Sequence, residues 1–293
     1  MSALLLARIQ FGLSISFHYL FPQATLGLAL VVVVAEALYL LRRDEDWKRI
    51  SSYTVRILAV IFAFGIATGM VMPFLFGMHW ARFSTFSGPL FGVQLTIESI
   101  TAFTLESAFI AILIFGRKKV SKGLYFLSAL LTFLGSHISA FMIVSANSWM
   151  QTPAGYAISK GRVELTDWWA ATFSPSFLVR IMHTLDGAWI TGSFLMLAAA
   201  AWILRKEVGA TPAATPPAAS AAANEKADAL RLGKKLFGLA TVLALLTSLA
   251  QPVIGHSQII DVQENQPVKE AAYEGLFKTT RGAPLIGFGI PDA

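Results

Sequence analysis

The sequence predicts an all-α, polytopic membrane protein: a bundle of six transmembrane helices with its N-terminus outside the cell. Three observations carry that expectation. Hydrophobic residues make up 55% of the 293-residue chain and charged residues only 14%, against about 25% charge in an ordinary soluble domain. Six apolar segments stand apart along the chain, each near the ~20 residues a helix needs to cross about 30 Å of hydrocarbon. None shows the short alternating pattern of a membrane barrel strand. Finally, Lys and Arg crowd the loops after the first, third and fifth segments, which assigns those loops to the cytoplasm and both termini to the outside.

The first segment, 11–41, is preceded by Arg8. It is too long for a signal-peptide core and lacks a small-residue cleavage pattern, so it reads as a retained span. His18 lies within a turn or two of its outer end, and Pro22 cannot make the helical bond to the His18 carbonyl. Arg42, Arg43, Lys48 and Arg49 follow. The second segment, 53–77, holds Gly65 and Gly69 in a spacing that marks close helix approach.

The third segment, 94–116, carries Glu98 and Glu106 inside an otherwise apolar span. A carboxyl group at that depth costs several kcal/mol unless protonated, paired or wetted, so it is a functional candidate. On a regular α-helix the two acids stand about 80° apart around the axis and about 12 Å apart along it. Each is followed by a serine, Ser99 and Ser107. Two acids stepped along one helix suit proton relay; the plainer reading is a pair of neutral carboxyls bonded to neighbouring helices. Arg117, Lys118, Lys119 and Lys122 end this segment.

The fourth segment, 123–146, contains His137 and Ser139, which serve equally well as packing groups. The fifth, 177–204, places His183 near its outer end. His18, His183 and Glu98 therefore share one depth. Histidine is a common ligand for metals and haem iron, and two at matched depth beside an acid favour cofactor ligation over simple helix–helix hydrogen bonding. Arg205, Lys206, Lys226, Arg231, Lys234 and Lys235 flank residues 209–224, GATPAATPPAASAAAN, which read as a flexible cytoplasmic connector. The sixth segment, 236–254, completes a membrane unit of residues 1–254. Residues 255–293 form an outer segment holding Lys269 and Glu274.

The chain has no cysteine, which excludes disulfides, Cys-ligated zinc, iron–sulfur clusters and haem attached through C-x-x-C-H. The net charge of +6 sits mostly in the loops of one side, so nucleic acid is not an expected partner.

Five motifs, in order, resemble the N-terminal part of subunit I of the cytochrome bd family of quinol oxidases. They are RIQFGLSISFHYLFPQATLG, FGIATGM, IESITAFTLES, SHISAFMIVSANSWMQTP and HTLDGAWITG. The later GHSQ, QPVKEAAYEG and GAPLIGFGIPD resemble the start of that family's quinol-binding loop. The resemblance implies a plasma (inner) membrane enzyme that transfers electrons from ubiquinol or menaquinol to dioxygen and takes protons from the cytoplasm. It implies that His18 is an axial ligand of a high-spin haem, b or d, in the oxygen site, and that His183 ligates the low-spin haem b. Glu98, Glu106, Ser107 and Ser139 then belong to the oxygen-site and proton-delivery positions, and Lys269 and Glu274 to quinol oxidation. The implied partners are a second, subunit II-like chain and a separate chain supplying the family's C-terminal helices, which carry further haem ligands. Two departures stand out: Pro73 and Leu75 replace the polar residues usual in the second segment, and Asp186 follows His183 where a small neutral residue is expected. The other readings are an electron-transfer half-subunit with another donor, and a scaffold or proton channel that has lost its haems.

Overall fold

The computed structural model describes residues 2–209, 216–279 and 281–282. Its elements, in order, are α1 (Ala3–Arg42), α2 (Glu45–Gly69), α3 (Val71–Met78), α4 (Ala81–Ile97), a π-helical segment (Glu98–Phe103), α5 (Thr104–Phe115) and α6 (Lys122–Gln151). A hairpin of β1 (Tyr156–Ser159) and β2 (Arg162–Leu165) follows, then α7 (Trp168–Thr172), α8 (Phe177–Gly209), α9 (Pro216–Asn265) and α10 (Pro267–Tyr273). Six helices among the described residues are long and apolar enough to cross a membrane; the second joins α2 to α3 and the third joins α4 to α5.

Side-chain caps set several boundaries. The Ser2 hydroxyl accepts from Leu5 N at the start of α1, Asp44 accepts from Asp46 N before α2, and Ser121 accepts from Leu124 N before α6. α1 ends at Arg43, whose φ of 51° reverses the chain into the left-handed region.

α1 is the axis of the bundle. Its buried Leu28, Val31, Val32, Ala35 and Tyr39 share one core with Ile50 and Leu58 of α2, Ile110 and Leu113 of α5, Met196 of α8 and Leu236 of α9. Where α1 crosses α8 the two backbones touch: a Cβ on Gly27 would run into Ala188 O and Gly192 Cα, and one on Gly192 into the Gly27 backbone. Lipid tails are as apolar as leucine, so close backbone packing at small residues does much of the work of association. At the Lys/Arg-rich end, buried Glu36 pairs with Arg117 at 2.5 Å, while Asp46 pairs with Arg231 and Lys235 of α9. Large apolar side chains such as Leu13, Phe74, Trp202 and Leu249 are exposed on the bundle, as acyl chains or neighbouring chains require.

Several helices run beyond the apolar segments read from the sequence. The third begins at Ala81 rather than near residue 94, through Pro89. The sixth continues past residue 254 to Asn265, so Gln258 and Asp261 lie on a helix rather than in a loop. It also begins at Pro216, inside the stretch expected to be a flexible connector. Alanine is the strongest helix former and proline is tolerated in a helix's first turn, so an Ala/Pro-rich stretch can extend a helix backwards. Residues 210–215, and nearly all of GAPLIGFGIPD, lie outside the described residues. The hairpin was not expected either. Its two-residue turn, Lys160–Gly161, has φ of 50° and 73°, the double left-handed geometry that matches strand twist.

Candidate functional site

His183 projects from α8 toward α9, half-buried, with its Nδ1 3.2 Å from Gln251 Nε2. A cavity of about 270 Å³ opens beside the pair, walled by Tyr19, Leu20 and Gln23 of α1 and by Thr184 and Thr191 of α8. Asp186, one turn along, is buried with Oδ2 lacking a partner.

His18 faces a different helix. Its Nδ1 lies 2.9 Å from Thr68 Oγ1 of α2. The Thr68 hydroxyl has backbone carbonyls to donate to, Phe64 O at 2.9 Å and Gly65 O at 3.1 Å. Its oxygen then accepts from His18 Nδ1–H, which leaves Nε2 with a free lone pair. The imidazole fits because the next residue is glycine: a Cβ on Gly69 would come within 2.9 Å of His18 Cε1. The two candidate ligands thus face different helices, α2 and α9.

The acids of the third membrane helix both meet α6. Ser139 Oγ donates to Glu98 Oε1 at 2.8 Å. Glu106 is buried against Gly135, where a Cβ would approach the Glu106 backbone N and Cβ at 3.2 Å, and its Oε1 has no partner. Glu98 opens the π-helical segment, so the regular-helix angle expected between the two acids does not apply; wider π turns change the phase, and such segments concentrate at functional sites. Three residues from Gly135, Thr132 Oγ1 is also buried and unpartnered. Ser107 is turned back on its own helix, donating to Phe103 O at 2.7 Å. Nearer the end away from the Lys/Arg loops, Gln94 donates to Ser145 at 2.8 Å.

His137 has both ring nitrogens engaged, Nδ1 with Phe133 O at 2.7 Å and Nε2 with the indole N–H of Trp189 at 3.1 Å. It is a packing group. At the end away from the Lys/Arg loops, Lys269 of α10 donates to Gln151 Oε1 and Gln266 Oε1, each at 3.2 Å. Gln266 in turn donates to Gln151 Oε1 at 2.8 Å and lies 3.4 Å from Arg180 of α8. Glu274 caps α10 one turn further on.

Sequence reading missed Thr68, Gln251, Gly135, Gln151 and Arg180. Only Gly69 had a local signal, the glycine pair in the second segment. Among the described residues no group of three His, Asp or Glu side chains could hold a bare metal ion. Single imidazoles with Nδ1 against a polar neighbour, that of His18 in a glycine-made recess with Nε2 free, are of the kind that would hold haem iron.

A family model described as Cytochrome bd terminal oxidase subunit I matches residues 6–293. The chain is 34% identical over 278 residues to Cytochrome bd ubiquinol oxidase subunit 1 of Bacillus subtilis (strain 168), which covers 95% of this chain and 55% of that protein. It is 32% identical over 276 residues to Cytochrome bd-II ubiquinol oxidase subunit 1 of Escherichia coli (strain K12), 94% of this chain and 50% of that one. The structure of bd oxidase from Geobacillus thermodenitrificans superposes with a TM-score of 0.85 at 25% identity, over 98% of this chain and 62% of that chain. The chain spans about half the length of the curated relatives it matches.

Proposed function

Because the chain belongs to the cytochrome bd terminal oxidase subunit I family, we propose that it is the haem-bearing portion of a terminal oxidase that oxidises membrane quinol, ubiquinol or menaquinol, and reduces dioxygen to water. It works in the plasma membrane with a subunit II-like partner and with the C-terminal helices that its longer relatives carry. The Lys/Arg-rich end lies in the cytoplasm. What supports this reading best is the geometry of His18 and His183: two half-buried imidazoles on different helices, each with Nδ1 against a polar neighbour, Thr68 Oγ1 for His18 and the Gln251 amide for His183.

Haem held at His18 and His183, low-spin b at His183 and high-spin b or d at His18, supplies one-electron transfer and the iron that takes dioxygen. The chain's own groups manage protons. At the outer end, Glu274 accepts a proton from a quinol hydroxyl as general base, and Lys269, steadied by Gln151 and Gln266, orients the quinol oxygen. From the cytoplasmic side, protons travel along the seam between the third membrane helix and α6. Thr132 and Glu106 leave buried polar atoms unpartnered there, as sites that exchange protons through transient water do. Ser139 holds Glu98 at the head of the π-helical segment, and Ser107 lies on the same route.

An absorption spectrum of the purified complex containing this chain tests the reading. Haem bands, with the low-spin b component lost in His183→Ala, are expected. A complex without haem would leave only a scaffold.

A further inference from the structure

The amide of Gln251 is the polar group from another helix that reaches His183 Nδ1, at 3.2 Å. The far end of that amide, Oε1, is buried without a partner among the described residues. Gly187 and Gly255 flank the pair: a Cβ on Gly187 would lie 3.8 Å from Gln251 Nε2, and one on Gly255 4.0 Å from His183 Cε1, both ordinary contact distances. Of the other polar side chains nearby, Thr191 is committed to Gly187 O at 2.9 Å.

The two ends of an amide have nearly the same shape and opposite hydrogen-bonding character. With Nε2 toward the ring, Gln251 donates to Nδ1 and the imidazole proton sits on Nε2, where it blocks coordination. With the amide rotated by half a turn, Oε1 accepts from Nδ1–H and Nε2 is free. Since the far end has no partner among the described residues, the protonation of the ring can decide which end faces it. We propose that Gln251 is the positioning residue of the His183 haem ligand, accepting from Nδ1–H when iron occupies Nε2 and so setting both the tautomer and the donor strength of the imidazole. The inference rests on His183 being an axial ligand. An acceptor on the second nitrogen orients the ring and raises its basicity, which favours ferric over ferrous iron; removing the acceptor moves the low-spin haem toward reduction.

The test uses the assembled membrane complex and the low-spin haem itself, by redox titration and electron paramagnetic resonance. Gln251→Met keeps the unbranched length and removes the acceptor. It is expected to retain the haem, raise its midpoint potential so that the reduced-to-oxidised ratio at fixed ambient potential rises severalfold, and alter the low-spin ferric signal. Gln251→Glu restores an acceptor oxygen and is expected to bring the potential back to the wild-type value or below. A Met variant with wild-type potential overturns the proposal, as does an upward shift of equal size in both variants. Loss of haem from the Met variant alone supports an acceptor role, whereas loss from both points to packing and overturns it. His183→Ala separates this from the parent reading: if that variant keeps the low-spin haem, the ligand assignment has failed, whatever the Gln251 variants do.

Discussion

Ser139 Oγ donates a 2.8 Å hydrogen bond to Glu98 Oε1, joining the first residue of the π-helical segment to the middle of α6. One turn away on α6, Gly135 receives Glu106. A single helix face therefore holds both acids, half-buried Glu98 through a hydroxyl and buried Glu106 through the absence of a side chain. Ser139→Ala removes the hydroxyl that orients Glu98. It should slow oxygen reduction by up to about tenfold, in keeping with a net hydrogen bond of about 1 kcal/mol, and leave quinol-driven reduction of the low-spin haem unchanged. Ser139→Thr retains the hydroxyl and should recover most of the rate; steady-state oxygen consumption by the two variants decides.

On the proposed reading, the two histidines hold different haems. His183→Ala should abolish the low-spin b spectrum while the complex still inserts, and His18→Ala should disturb a high-spin haem and oxygen reduction with the low-spin haem retained. The reverse pattern of losses means that the two sites are exchanged. Gly69→Ala, which puts a methyl within 2.9 Å of His18 Cε1, should perturb the same high-spin haem as His18→Ala and leave the His183 site alone.

Gly192 tests the fold rather than the chemistry. Its α-carbon sits against the Gly27 backbone, and backbone cannot move aside as a side-chain tip can. Gly192→Ala should cost at or above ~3 kcal/mol, the upper end of ordinary overpacking, seen as a sharp fall in assembled complex after detergent extraction. Gly238→Ala, with open space around it, is the control and should extract like the wild type.

How much of this was legible beforehand follows from how each feature is encoded. Long apolar runs announce membrane helices directly, and the buried acids stand out against them. The start of the third helix was hidden because Arg82, Ser84, Gly88 and Pro89 look like a loop, although Ser84 is held by Phe76 O at 2.9 Å and Ser87 by Phe83 O at 2.9 Å. A π-helical segment uses the same residues as an α-helix, so nothing in ESITAF marks one. The partners of the histidines were out of reach for another reason: Thr68 is 50 residues from His18, and Gln251 is 68 from His183. Only packing brings them together, and local pattern carries no record of that.

Glu274 and Lys269 make the end away from the Lys/Arg loops testable on its own. Lys269 is anchored to Gln151 at the end of α6, so α10 is tied to the bundle rather than trailing from it. Glu274→Ala should slow quinol oxidation by about 10²-fold, the lower range for loss of a general base, with the haem spectrum intact. Gln151→Ala should raise the KM for quinol more than it lowers kcat, since it loosens Lys269 without touching the base. Unaltered quinol turnover in the Glu274 variant returns that residue to the surface, where an exposed ion pair is worth under about 1 kcal/mol.

Glu106 gives the sharpest test of proton delivery. It is 7% exposed, its Oε1 has no partner, and Gly135 presses against its Cβ. A carboxyl group kept for packing would be bonded at both oxygens, because an unsatisfied buried acceptor costs about 1–3 kcal/mol. An acid that must pass a proton on needs a free oxygen that water can reach briefly. Glu106→Gln keeps size and hydrogen bonding but cannot carry a proton, so oxygen reduction and proton uptake should fall together by about 10²-fold or more. Electron entry from quinol to the His183 haem should stay fast, so the low-spin haem accumulates reduced during turnover. Glu106→Asp, shorter by one methylene but still an acid, should keep part of the rate. Stopped-flow spectra with a pH indicator separate the steps: a Gln variant with wild-type proton uptake makes Glu106 a packing residue and removes the route along α6.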